Sequence, residues 1–82
     1  MPDLNLSKLL PGQKVRVKEI SEEEVCCKLY DLGVFPGEEL TFKKAAPLGD
    51  PLLFSFSGSF ISIGRAEAGS VSCHPNPVNP AE

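Results

Sequence analysis

Residues 13–44 read QKVRVKEISEEEVCCKLYDLGVFPGEELTFKK, and the succession of patterns inside this stretch decides the fold. In Gln13–Ile20, Val15 and Val17 fall on one side while Lys14, Arg16 and Lys18 fall on the other, the period of a half-buried strand. The alternation slips at Glu19-Ile20, which predicts the end of the strand or a bulge. Ser21-Glu22-Glu23-Glu24 then matches a capping box, with acidic side chains at the positive end of a helix dipole. Val25, Leu29 and Leu32 follow at helical spacing, and Gly33 offers the left-handed residue that ends a helix. On this wheel Cys26 lies at the edge of the apolar stripe and Cys27 points away from it. Phe35-Pro36-Gly37 makes a turn, after which Leu40 and Phe42 alternate with Thr41 and Lys43 in a second strand near Glu39–Lys44. A helix therefore stands between the first two strands.

Working outward, Leu9-Leu10-Pro11-Gly12 is a turn signal ahead of the first strand. Downstream, Ala45–Pro51 holds two prolines and a glycine and reads as an irregular loop. Leu52–Ser57 sets Leu52, Phe54 and Phe56 on one face, and Ser57-Gly58-Ser59 is a hairpin connection into a strand carrying Ile61 and Ile63. Arg65–Gly69 turns again, and Val71 with Cys73 forms a last short strand. Five short strands and one helix favour a mainly β fold: a small SH3-like five-stranded barrel, the helix inserted between strands one and two and the later strands following as a meander. Val15, Val17, Leu40, Phe42, Leu52, Phe54, Ile61, Ile63 and Val71 are the expected inward faces. Residues 1–73 form the single domain, and the proline-rich 74–82 is expected to be a disordered tail.

Composition narrows the function. Eight Lys and Arg against eleven Asp and Glu give a net charge of −3, the wrong sign for holding nucleic acid by counterion release. No apolar run approaches the roughly 18 residues needed to span a bilayer, so no direct membrane insertion is expected. Met1-Pro2-Asp3 lacks the basic and apolar regions of an export signal, and three cysteines, two of them adjacent, do not make a disulfide framework. A cytoplasmic protein with reduced thiols is the expectation.

The motifs Leu6-Ser7-x-Leu9-x-Pro11-Gly12, Leu29-x-Asp31-Leu32-Gly33-x-x-Pro36-Gly37, Ala46-Pro47-Leu48-Gly49-Asp50-Pro51 and Glu67-Ala68 occur in an order and at gaps that resemble the FeoA family of small bacterial ferrous iron transport proteins. The resemblance covers residues 6–73. It implies an SH3-like barrel, no catalytic activity, no cofactor, and a role as adaptor or regulator of ferrous iron uptake. The implied partner is the membrane-bound, GTP-hydrolysing transporter FeoB, met on its cytoplasmic side. Family members often carry Arg where this chain has Lys28 and Gly64, with Arg65 adjacent to the latter; Lys is a point charge and does not replace a bidentate guanidinium. The alternative is a metal-sensing module like the SH3-like domain of iron-dependent repressors, although this chain shows no helix-turn-helix.

Individual residues weigh on the choice. Cys26, Cys27, Cys73 and His74 are soft donors, yet adjacent cysteines on a helix diverge by about 100° and do not aim at one tetrahedral ion, so no metal site is assigned. The lone histidine sits at the tail boundary, leaving no positioned base for nucleophilic catalysis. With no Trp and one Tyr, an aromatic groove for polyproline is poorly supplied. Leu48 stands at the tip of a loop stiffened by Pro47 and Pro51, and either folds back on the core or meets a partner. Leu48, Gly49, Asp50 and Arg65 are the candidate partner-binding residues, because binding residues ride on loops held by a rigid scaffold.

Overall fold

The structure, a computed structural model, describes residues 3–75. Its elements are β1 (Leu4–Asn5), a 3-10 turn (Leu6–Lys8), β2 (Lys14–Ile20), α1 (Glu23–Asp31), β3 (Glu39–Ala45), β4 (Leu52–Phe56), β5 (Ser59–Ile63), α2 (Arg65–Ala68) and β6 (Val71–Pro75). One antiparallel sheet runs in the order β1-β6-β2-β3-β4-β5. The mainly β, SH3-like architecture is the one expected, with α1 between the first two long strands. The short β1 adds a sixth strand. Strands β3, β4 and β5 do form a meander, but β6 returns across the molecule to lie between β1 and β2. Although β1 and β5 end the strand order and do not pair with each other, Arg65 just beyond β5 donates from Nη1 to the Ser7 carbonyl just beyond β1 at 3.0 Å, which ties the two ends of the sheet together at that one corner.

The irregularity at the end of β2 is a bulge. Val17 pairs with Cys73 and Glu19 with Ser72, so the register shifts by one between them. That shift lets Ile20, which breaks the alternation, pack against the core from its partly buried position.

Helix α1 forms where the spacing predicts it, but its ends differ from the expectation. Its N-cap is Glu22, with no side-chain capping bond. Ser21, expected to cap, instead donates from its backbone N–H (2.8 Å) and its hydroxyl (3.1 Å) to the Ser70 carbonyl. Tertiary anchoring to the segment before β6 outcompetes the local cap. At the other end Gly33 has φ +89°, the Gly33 N–H bonds to the Tyr30 carbonyl (2.9 Å) and the Val34 N–H to the Leu29 carbonyl (2.8 Å). This is a Schellman closure, which brings the residue after the glycine back onto the helix. Val34 is therefore fully buried with Leu29, while Leu32, expected in the core, is exposed.

Eight of the nine residues expected to face inward are buried, and the ninth, Ile61, packs half-buried against the same core. Leu6, Leu9, Val34, Ala68 and Cys73, with Val25 and Leu29 from α1, complete the core. Phe54 is fully buried with its ring 5.4 Å from that of Phe42, and burial of such a side chain contributes about 1.5–3 kcal/mol. The last strand runs on to Pro75, so His74 and Pro75 pair with Arg16 and Val15 where a tail was expected. The remainder of that expected tail, 76–82, lies outside the described residues.

Candidate functional site

Strand β3 ends where Ala45 pairs with Leu52, and the intervening loop closes on itself. The Ala46 N–H donates to the Pro51 carbonyl (2.9 Å), and the Gly49 N–H donates to the Ala46 carbonyl (2.7 Å). Proline at the second place of this turn presets φ, and Gly49 takes φ +91°, a value L side chains rarely adopt.

A second set of bonds holds the loop to the barrel. Arg65 donates from Nε to the Gly49 carbonyl at 2.9 Å, while its backbone N–H donates to Asp50 Oδ1 at 2.9 Å. Its Nη1 reaches the Ser7 carbonyl described above. One planar guanidinium thus spans the loop and the 3-10 turn, a use of the fixed fork that a lysine cannot copy. Of the four residues proposed from sequence, Gly49, Asp50 and Arg65 form one bonded unit and Leu48 rides at its tip. Leu48 is 97% exposed, so of the two dispositions left open by the sequence it takes the outward one.

The soft donors are dispersed. Cys27 is exposed on α1, Cys26 is half-buried beside it, and Cys73 is buried in β6 with its thiol 3.5 Å from the Leu4 carbonyl. Burial, with a smaller contribution from Asp3, pushes the Cys73 thiol up to about 11. His74 lies on the exposed side of β6, its Nδ1 3.5 Å from Asp3 Oδ1. Asp3 also pairs with Lys18 at 2.6 Å, and that hydrogen bond holds its carboxyl below the usual carboxylate range. Among the described residues no three His, Cys, Asp or Glu side chains are grouped so as to hold a metal ion.

A shallow groove of about 260 Å³ runs between the two helices, lined by Glu22, Glu24, Val25, Ala66 and Glu67. Lys28 pairs with Glu67 at 2.7 Å. Glu67 also accepts the Gly64 N–H at 3.1 Å, and Lys28 first, then Gly64, keeps its carboxyl below the usual range. The Lys28–Glu67 pair clamps α1 to α2 at the surface.

Sequence reasoning missed one exposed feature. Tyr30 and Phe35 meet edge to face, centroids 4.8 Å apart, and both are partly exposed beside Leu32 at the C-terminal end of α1. The signal was present in Gly33: a Schellman register turns Val34, not Leu32, toward the core.

Comparison with known proteins completes the description. The FeoA domain family matches residues 4–75. The structure of the FeoA protein from Chlorobium tepidum is 30% identical over 95% of this chain and 76% of its own, with a TM-score of 0.82. The FeoA-like protein from Clostridium acetobutylicum is 25% identical over 100% and 96%, with a TM-score of 0.84. IdeR from T. acidophilum shares the fold (TM-score 0.80, 93% of this chain and 35% of its own) at 19% identity, which bears on the fold alone. Comparison with curated protein sequences gives no match.

Proposed function

The chain belongs to the FeoA domain family, associated with ferrous iron transport, and from that membership we propose that it is a non-enzymatic adaptor that docks on the cytoplasmic part of a FeoB-type transporter. The docking element in this reading is the loop 46–51, and the observation that carries it is the 97% exposure of Leu48 on a segment bonded to the barrel through Arg65. A restrained loop loses little conformational entropy on docking, so an outward leucine there delivers more of its burial energy to the complex. The adaptor acts on transport by binding one state of the transporter better than another, since a ligand shifts an equilibrium only by its differential affinity. Gly49, Asp50 and Arg65 position the tip, and Leu48 makes the contact.

The test is Leu48→Ala, with affinity for the transporter's cytoplasmic GTP-binding region and melting temperature measured on the same preparation. Affinity is expected to fall by about 1–3 kcal/mol, the range of an interface hot spot. Thermal stability is expected to stay within about 0.5 kcal/mol of the parent, as for other surface substitutions. A large melting shift with unchanged affinity overturns the loop as the docking element.

A further inference from the structure

The β5 end of the sheet carries an inference independent of the transporter. In the described residues β5 pairs with β4 alone, so one side of its backbone has no strand beside it. Which groups face that side follows from the hairpin. Ser57 and Gly58 form a two-residue loop with φ of +53° and +82°, closed by the pair Phe56↔Ser59. In such hairpins the closing pair exchanges both backbone bonds and the pairs alternate from there. Ser59, Ile61 and Ile63 therefore bond inward to β4, and Phe60 and Ser62 turn their N–H and C=O groups outward.

Natural sheets guard an edge with brevity, bulges, proline or charge. The opposite end, β1, is only two residues long. Strand β5 has none of these guards: its register with β4 is continuous through Ile63, and no Asp, Glu, Lys or Arg occurs from Pro51 to Gly64. Phe60, 65% exposed, stands on the outer face of this edge.

We propose that β5 is a self-association edge, on which a second copy of this chain adds its own β5 antiparallel across a two-fold axis at Ile61. The strand fits itself: Phe60 faces Ser62 of the second copy and Ser62 faces its Phe60, so all four outward groups on each edge are bonded in one register. Ile61 meets its own counterpart on the inner face, where it is half-buried and short of cover. Charge selects the site as well. Each copy carries a net −3, and β2 and β3 bristle with Lys, Arg and Glu, whereas the β4–β5 hairpin itself carries no charged side chain that would repel a second copy.

The experiment is sedimentation equilibrium and amide hydrogen exchange on the full chain from micromolar to millimolar concentration. The expected result is a mass rising toward that of two chains, with exchange at Phe60 and Ser62 slowing by about tenfold or more as it does so. Ser62→Pro removes an outward N–H at a place where an edge strand tolerates proline. Phe60→Lys puts a charge on the exposed edge. Both variants are expected to stay monomeric at millimolar concentration, with melting temperatures within about 3 °C of the parent. Should Ser62→Pro fail to fold, the exposed Phe60→Lys alone decides. A parent chain monomeric at millimolar concentration, or association that survives Phe60→Lys undiminished, overturns the proposal.

Discussion

Replacing Arg65 with alanine removes the guanidinium that joins the loop 46–51 to the 3-10 turn. Two charged donor bonds are lost, Nε to Gly49 and Nη1 to Ser7. The backbone bond to Asp50 survives, because it comes from the Arg65 N–H. Bonds from charged groups contribute about 1.5–3 kcal/mol where water is excluded, but Arg65 is exposed and each of these is discounted to about 0.5–1 kcal/mol. The sum, about 1–2 kcal/mol, corresponds to a fall of about 4–16 °C in melting temperature for a domain of this size. Arg65→Lys is expected to recover less than half of that loss, because an ammonium reaches one carbonyl at a time. Thermal unfolding followed by circular dichroism reads the global term. Amide exchange at Gly49, whose N–H closes the turn onto Ala46, reads the local one and is expected to quicken. Unchanged melting and unchanged Gly49 exchange in Arg65→Ala would refute the idea that this side chain holds the loop.

The thiols make a second prediction: Cys27 should react with a maleimide in the folded chain within minutes while buried Cys73 stays protected, and equal rates would contradict the strand placement of Cys73. Since burial raises the folded Cys73 pKa from 9.0 to about 11, its contribution to stability is complete below pH 9 and is lost as pH climbs toward 11. The loss amounts to at most about 2–3 kcal/mol, and Cys73→Ala, whatever its own cost, should flatten that alkaline limb. Ser57 holds φ +53° in the hairpin, so Ser57→Gly should raise stability by about 0.5–1 kcal/mol in urea unfolding; a loss would mean that its hydroxyl matters more than its backbone strain.

The long elements were legible because their periods are unambiguous. Val15 and Val17 against Lys14, Arg16 and Lys18 admit only a strand, and Val25 with Leu29 ahead of Gly33 admits only a helix. What escaped was set by tertiary bonds or lies below the length at which a period exists. Strand β1 has two residues and is held by β6, and α2 has four, of which only Ala68 is buried. Ser21 looked like a cap, yet the Ser70 carbonyl claims both its donors. The return of β6 to β2 was hidden for the same reason: five residues carry no mark of which neighbour they will choose. In the candidate site, the prolines and Gly49 announced a stiff loop, while the bonds of Arg65 to Gly49 and Asp50, some fifteen residues away, required the fold to bring them together. The outward course of Leu48 follows from that tether and from a core already filled by Leu52, Phe54 and Ile63.

The most direct measurement of the adaptor reading is an amide chemical-shift titration of the labelled chain with the cytoplasmic GTP-binding region of the FeoB-type transporter. Saturable shifts are expected at Ala46, Leu48, Gly49, Asp50 and Arg65, with the Lys28–Glu67 side of the two helices unchanged. No shift at several hundred micromolar transporter region, or shifts confined to α1 and α2, would contradict it.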